Sequence, residues 1–168
     1  ERVLLVSSYH PGFPTFFQQI KGLRSVLEPA GVLLDVEFMD TKRFSGPGHD
    51  AIFREYLRFK LEKVPVYDAF IVADDAALRF ALDNREELLA GKPFVFCGVN
   101  NQDLAHSLSG TKGVTGVIES ISMRETLESL WKVIPGLKTV YALVDAVPGG
   151  QGDLHTYLAQ RDFFPGKN

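Results

Sequence analysis

The stretch VLLVSSYHPGFP, residues 3–14, contains the transition that decides the fold. It begins with a continuous apolar run, residues 3–6, of the kind that belongs to a strand covered on both faces of its sheet. The chain then changes at once to two serines, a tyrosine, a histidine and two prolines. A buried strand that ends in a polar and aromatic loop predicts an α/β sheet with a ligand beyond the carboxyl end of its first strand.

Five further strands are predicted along the chain. Residues 34–38, LDVEF, alternate between apolar and polar side chains, which is typical of a half-exposed edge strand. Buried runs predict the other strands, at residues 69–73, 94–97, 114–118 and 140–144. Strands that alternate with helices predict an α/β fold with a doubly wound parallel sheet of the Rossmann or flavodoxin kind. The edge character of the second strand favours the order 2-1-3-4-5.

Apolar residues at helical spacing predict helices between these strands. The positions that mark the first three helices are Phe16, Ile20, Leu23 and Leu27, then Ile52, Tyr56 and Phe59, then Leu78, Leu82 and Leu89. Ser122 and Glu125 form a capping-box pattern, which predicts the start of a fourth helix that ends at Pro135. A last helix is predicted near residues 154–158.

Composition and charge narrow the class of protein. The chain of 168 residues is 45% apolar and 23% charged, as expected for a soluble globular protein of one domain or slightly more. Its net charge of −3 gives no reason to expect nucleic acid as a partner, because nucleic-acid binders carry a basic face. No apolar run approaches the roughly 18 residues that a membrane span needs.

The start of the sequence and its cysteine content do not narrow the class of protein further. Glu1 and Arg2 lead directly into the first strand, so we expect any targeting segment to have been removed or to lie outside this sequence. Cys97 is the single cysteine and cannot form an internal disulfide. We expect it to pack as a small hydrophobe at the end of a buried strand.

Polar residues follow each of the first four predicted strands. They lie at residues 7–12, 40–43, 74–75 and 98–101. Since the carboxyl ends of parallel strands meet at one edge of a sheet, we expect these residues to bind a small polar molecule, with a carboxylate or an ammonium group both possible. The predicted ligand-binding residues are Ser8, Tyr9, His10, Asp74, Asp75, Asn100 and Asn101. Removing Asp75 or Asn101 is expected to weaken binding and to leave folding nearly intact.

Each of these residues also has a structural interpretation. Asp74 or Asp75 has the right position to cap the helix that follows. The two asparagines suit a turn with left-handed backbone, and His10 is compatible with a loop residue bonded to the backbone. Lys42 and Arg43 are more often part of a solvated loop than of a site.

Several chemistries lack their motifs. No dinucleotide fingerprint or P-loop follows the first strand, no nucleophile elbow is present, and the histidines have no metal-ligand spacing. A phospho-receiver would need acidic residues where Ser7 and Ser8 stand, and a flavin site would need a different first loop. An enzyme that uses Ser8 and His10 as nucleophile and base would lack an orienting acid. We therefore expect no cofactor, no metal and no catalysis.

Five blocks of the sequence together resemble one family. They are VLLVSSYHPGFP, DVEFMDTKRF, YDAFIVADDAALRFAL, KPFVFCGVNN and GVTGVIESISMRETLESLWKVIPGLKTVYALVD. The family is the ABC-transporter substrate-binding-protein-like family, which has a type I periplasmic-binding-protein fold. This variant resembles the extracytoplasmic sensor regions that precede histidine kinase or diguanylate cyclase modules in bacterial signalling proteins.

The resemblance implies two lobes that close on a ligand. Residues 1–119 would form the first ligand-binding lobe, and residues 120–168 the crossover and an incomplete second lobe. The implied contacts fall on the same strand-end residues. The implied function is a periplasmic sensor tethered to the inner membrane, with a small polar ligand, for example an amino acid, and a fused or downstream signalling module. The alternative is a solute-binding protein that serves an ABC permease. Apolar residues without a second lobe to cover them would favour a homodimer.

Overall fold

Five strands form one parallel sheet in the part of the chain that the structure describes. The structure is a computed structural model that describes residues 1–146 and 148–164, without the side chains of residues 148 and 149. The strands are β1 (Arg2–Ser7), β2 (Leu33–Phe38), β3 (Ala69–Ala73), β4 (Phe94–Val99) and β5 (Val114–Ile118). All neighbours are parallel, in the order β2-β1-β3-β4-β5. The predicted doubly wound α/β fold and its strand order are therefore confirmed.

Helices connect the parallel strands and continue beyond the sheet. They are α1 (Phe16–Leu27), α2 (Pro47–Leu61), α3 (Asp74–Asp83), α4 (Gln102–Ser107), α5 (Met123–Val133) and α6 (Pro148–Ala159). A short 3-10 turn, Arg161–Phe163, follows α6. A parallel neighbour can be reached only by a crossover, which explains why a helix precedes each of the four strands that follow β1.

The sheet separates two layers of core, as the interior strand β1 shows. Leu5 is fully buried and packs in one cluster with Ile20 of α1. Leu4 points to the opposite face and packs with Leu57 of α2 and Leu78 of α3. Successive side chains of a strand point to opposite faces, so a continuous apolar run is what a sheet covered on both faces requires.

Helix α2 is present, but the residues that mark it in the sequence are not its buried face. Phe53 and Leu57 are the buried residues of the helix. Ile52, Tyr56 and Phe59 lie on its outer side and are 73%, 48% and 61% exposed. Both sets recur at helical spacing, so the pattern predicts the helix correctly without showing which stripe packs on the sheet.

The predicted sixth strand, residues 140–144, is wrong. This segment has no strand structure, and Tyr141 and Leu143 are 87% and 97% exposed. A strand needs a neighbour for its backbone N–H and C=O groups, and the described residues offer none beside this segment. The apolar run therefore predicts a strand, but this segment could form one only if a neighbouring strand were present to pair with it.

Helix α5 begins where the capping-box pattern places it. Ser122 is the N-cap, but its side chain makes no capping hydrogen bond. The hydroxyl and the backbone N–H of Thr126 instead donate to the carbonyl of Ser122, at 2.6 and 3.0 Å. The position of the helix is confirmed, but the side-chain cap that the capping box predicts is not formed by Ser122.

The segment after residue 120 forms its own apolar cluster. Leu127 of α5 is buried, the rings of Trp131 and Phe164 lie 4.6 Å apart, and the Tyr157 hydroxyl donates to the carbonyl of Val140 at 3.1 Å. The division into a first lobe and an incomplete second lobe stays a prediction. Across the described residues, no helix is both long and apolar enough to cross a membrane.

Candidate functional site

The first loop is fixed to the sheet by Ser8. Its side chain is fully buried, and its hydroxyl donates to the carbonyl of Ala73 at 2.7 Å and accepts from the N–H of Ala77 at 2.8 Å. The Ser8 carbonyl accepts from the backbone and the side chain of Thr41, at 2.8 and 2.9 Å. Ser8 thus joins the ends of three strands, and its hydroxyl points into the protein rather than toward a ligand.

Asp75 has a similar structural role. It is 2% exposed, and its two carboxylate oxygens accept from the backbone N–H groups of Asn100 at 3.1 Å and Asn101 at 3.0 Å. The carboxylate therefore fixes the loop after β4 rather than capping α3. We therefore expect the removal of Asp75 to carry a cost in folding that the sequence did not indicate, because two partly buried donors would lose their acceptor.

Asp74 stands at the junction of β3 and α3 with an unusual backbone. Its φ is +71, a left-handed conformation that non-glycine residues rarely adopt. Such conformations persist where the surrounding structure imposes them, and they concentrate at functional sites. Here the conformation turns the side chain over Gly98 of β4, whose own φ is +66.

The surroundings of Asp74 disfavour its charge. Burial, together with the negative charges of Asp75 and Glu119, raises the pKa of Asp74 to about 7, and Lys42 acts in the opposite direction. A carboxyl group with this pKa changes its protonation state near neutral pH. Perturbed groups of this kind are candidates for binding or catalysis.

Tyr9 lies beside these carboxylates. The residue is 9% exposed, and its ring packs against Phe13 at a centroid distance of 4.3 Å. The ammonium group of Lys42 lies 5.0 Å from the ring centroid. Burial raises the pKa of the Tyr9 hydroxyl, and Asp74, Asp145 and other carboxylates raise it further. No described residue makes a hydrogen bond with this hydroxyl.

Helix α6 and the segment before it lie over this end of the sheet. Lys42 forms an ion pair with Asp145, 103 residues away in sequence. Asp153 of α6 is partly buried, and its pKa is raised by burial and then by Asp75. We call Tyr9, Lys42, Asp74, Asp145 and Asp153 the strand-end rim. Sequence reasoning found Tyr9 and Asp74, but nothing in the sequence indicated that residues beyond 140 return to this edge.

Asn100 and Asn101 border a cleft between α4 and α6. The Asn101 side chain accepts from the N–H of Leu104 at 2.9 Å, which caps α4. The cleft has a volume of about 950 Å³, and Arg79 of α3 and His155 of α6 also line it. Asn100 is the predicted residue whose side chain remains available to the cleft.

His10 belongs to its own loop. Its Nδ1 accepts from the N–H of Gly12 at 3.1 Å, and its carbonyl accepts from the N–H of Phe13. The proton of the Ser8 hydroxyl goes to the carbonyl of Ala73, so the structure does not join Ser8 and His10 as nucleophile and base. Within residues 1–146 and 148–164, no cluster of three or more His, Cys, Asp or Glu side chains could hold a metal ion.

Comparison with known proteins identifies the fold class only. No family model and no curated protein matches the chain. A crystal structure of a conserved domain protein from Vibrio cholerae is similar, with a TM-score of 0.70 and 16% sequence identity. The match covers 99% of this chain and 55% of that protein, so the chain spans about half of its length. The chain is therefore a doubly wound α/β protein, and this likeness shows nothing about function.

Proposed function

We propose that this chain is the ligand-binding part of an extracytoplasmic sensor and that a small polar molecule binds at the strand-end rim. The observation that carries the proposal is the state of Tyr9. The residue is 9% exposed, yet its hydroxyl has no hydrogen-bond partner among the described residues and faces several carboxylates. The ring is packed while the hydroxyl oxygen still reaches the surface, so the hydroxyl can bond to a molecule at the rim.

The rim draws on two parts of the chain, and this supports a sensing role. Tyr9, Lys42 and Asp74 belong to the sheet and its first loops, whereas Asp145 and Asp153 belong to α6 and the segment before it. A ligand that contacts both parts favours the arrangement in which they lie together. It shifts the equilibrium by the difference between its affinities for the two arrangements.

The remaining elements of the proposal rest on the sequence resemblance. Sensor regions of this kind lie outside the cytoplasmic membrane and pass the change to a fused or downstream signalling module, which we propose as the partner. An amino acid or a related metabolite is the class of ligand that this resemblance suggests.

A thermal-shift screen tests the proposal directly. The chain is heated with amino acids, small carboxylates, purines and polyamines, each tested at several concentrations. A ligand at 100 times its dissociation constant stabilises the folded state by about 2.7 kcal/mol, which raises the midpoint by several degrees in a chain of this size. We expect at least one saturable shift. A flat screen would contradict ligand binding by this chain.

A matched pair of variants then tests the location of the site. Tyr9→Phe removes the unpartnered hydroxyl and keeps the packed ring, so binding of the hit should weaken by about 1 kcal/mol. Tyr141→Phe removes a hydroxyl from a residue that is 87% exposed and should change nothing. Calorimetry gives both affinities. Equal affinities for Tyr9→Phe and the natural sequence would show that the ligand binds elsewhere.

A further inference from the structure

A cavity of about 560 Å³ lies between α2 and α3, and no residue of the strand-end rim lines it. Asp50 and Arg54 line it from α2, and Arg79, Asp83 and Asn84 line it from α3 and its C-cap. We call this space the α2–α3 cavity. Its wall carries two side chains of each charge, so it suits a ligand that carries both charges better than a purely anionic or a purely cationic one.

The charged side chains of the α2–α3 cavity do not neutralise one another. Within the described residues, no ion pair joins either aspartate of the cavity to either arginine. The Nε of Arg54 lies 3.6 Å from the carboxylate of Glu55, which is too far for a hydrogen bond. Arg79 and Asp83 make no side-chain hydrogen bond or ion pair with any residue that the structure describes. Both signs of charge are therefore available to a molecule in the cavity.

Two hydrogen-bonding atoms of the cavity wall lack a partner. Asn84 is 7% exposed, and its amide nitrogen donates to the carbonyl of Phe80 at 2.8 Å. Its amide oxygen accepts from no described residue and reaches the cavity surface, whereas the Nε of Arg54 is fully buried without a partner. In a nearly buried asparagine the oxygen and the nitrogen are usually both bonded. The cavity thus holds a free acceptor, which is an observation independent of its charges.

The end of α3 arranges these groups in order. Arg79 and Asp83 are four residues apart in the helix, so they lie on one face, about 6 Å apart along its axis. Asn84 is the C-cap of α3, and the helix dipole favours a cation at this end. An ammonium group is therefore favoured at Asp83 and Asn84, and a carboxylate is favoured at Arg79, one turn earlier.

We infer that the α2–α3 cavity binds a linear ω-amino acid, whose ammonium group pairs with Asp83 and donates to the amide oxygen of Asn84 while its carboxylate pairs with Arg79. A spacing of about 6 Å along the helix matches charged ends that several methylene groups separate. An α-amino acid fits less well, because both of its charged groups are attached to one carbon atom. The site shares no residue with the strand-end rim, so this inference goes beyond the proposed function and does not depend on it.

Calorimetry of the chain at neutral pH and low ionic strength tests this inference with a series of small compounds. The ω-amino acids are 4-aminobutanoate and 6-aminohexanoate, and glycine represents the α-amino acids. Butanoate and 1-aminobutane each keep one charged end of 4-aminobutanoate. We expect the tighter ω-amino acid to bind about tenfold more tightly than either singly charged compound, since each of them lacks one charge-assisted hydrogen bond. We expect glycine to bind more weakly than both ω-amino acids.

Variants connect the affinity to the α2–α3 cavity. Arg79→Gln and Asp83→Asn should each weaken the tighter ω-amino acid about tenfold. Arg79→Gln should also remove its advantage over 1-aminobutane, and Asp83→Asn its advantage over butanoate. Both residues are exposed, so the midpoint of thermal unfolding should not change. Arg24→Gln on α1 and Asp162→Asn after α6 are the matched controls and should leave the affinity unchanged.

The outcomes separate this inference from the proposed function. If butanoate or 1-aminobutane binds as tightly as the ω-amino acids, the cavity does not recognise both charges and the inference is overturned. Equal affinities of an ω-amino acid for Arg79→Gln, Asp83→Asn and the natural sequence overturn it as well. If Tyr9→Phe is the variant that weakens binding instead, the compound is a ligand of the strand-end rim, and the proposed function stands without this second site. If no ω-amino acid gives saturable binding, the inference fails, and the thermal-shift screen still decides the proposed function.

Discussion

The carboxylate of Asp74 lies over Gly98, with one oxygen 3.1 Å from the point that a Cβ atom at residue 98 would occupy. Both residues have left-handed backbone, with φ of +71 at Asp74 and +66 at Gly98. Glycine adopts this conformation without strain, whereas aspartate does so at a cost. The structure thus places a carboxyl group at the strand-end rim although the left-handed backbone is unfavourable for aspartate and burial disfavours its charge.

The first prediction follows from this arrangement. Asp74→Asn should raise the stability of the unliganded chain at pH 8, because it removes a disfavoured charge and places a residue that tolerates left-handed backbone. The raised pKa of about 7 and the partial exposure of Asp74 suggest a gain of about 1–3 kcal/mol. Urea unfolding measures the change. Stabilisation combined with weaker ligand binding is typical of a residue retained for function rather than for folding.

An opposite result would be informative. If Asp74→Asn lowers stability at pH 8, the ionised carboxylate makes a favourable interaction that outweighs its burial. The finding that no described cation pairs with Asp74 would then not account for its electrostatics. Asp162→Asn, an exposed aspartate outside the rim, provides the control for the substitution itself.

The second prediction concerns pH. The folded-state pKa of Asp74, about 7, lies above the ordinary value of 3.8. Between these two values the folded chain keeps a proton that the unfolded chain has released, so the contribution of Asp74 to stability is lost as pH rises through about 7. The stability difference between Asp74→Asn and the natural sequence should therefore be small near pH 4 and should reach its full size by pH 8.

Charged groups from several elements face Asp74 and set the range of this experiment. Asp75 lies on the same helix, Glu119 follows β5, and Lys42 follows β2. All of them remain in both proteins, so their own titration largely cancels in the difference. A difference that does not change between pH 4 and pH 8 would contradict the raised pKa of Asp74.

The third prediction concerns the neighbouring acid. Asp75→Asn should lower stability by about 1–3 kcal/mol, because the backbone N–H groups of Asn100 and Asn101 would lose a charged acceptor. Thermal unfolding at neutral pH checks this, again with Asp162→Asn as the control. The two adjacent substitutions thus have opposite signs, since Asp74→Asn stabilises and Asp75→Asn destabilises. Equal effects would mean that the two carboxyl groups do not have the different roles that the structure gives them.

The sheet could be predicted from the sequence because its central and edge strands have different patterns. The run of β1 is apolar at every position, as a strand with Leu4 and Leu5 on opposite buried faces must be. The alternation of β2 marks an edge. Residues 140–144 show the limit of the same rule, because an apolar run predicts a strand whether or not a neighbouring strand exists to pair with it.

The sequence indicated which residues meet at this edge of the sheet but not the role of each one. Strand ends converge in a parallel sheet, so Tyr9 and Asp74 could be found from topology. Whether a polar side chain turns inward, as Ser8 and Asp75 do, depends on backbone donors and acceptors that are distant in sequence. The ion pair of Lys42 with Asp145 spans 103 residues, and no local pattern indicates such a contact.

The fourth prediction tests which face of α2 packs on the sheet. Phe53 is 6% exposed and packs against Phe80 at a centroid distance of 5.0 Å, so Phe53→Ala should cost about 3–5 kcal/mol. Phe59 is 61% exposed, and Phe59→Ala should cost less than about 1 kcal/mol.

Urea unfolding of both variants measures these costs, and the slope of the unfolding free energy against urea should be the same for both. The two substitutions remove the same atoms from one helix, so helix propensity and the loss of a phenyl ring are matched between them. What differs is the surrounding packing, and the difference in cost therefore reports the orientation of α2. Costs of equal size would mean that the stripe of Ile52, Tyr56 and Phe59 is buried in solution, either on the sheet or against a second copy of the chain.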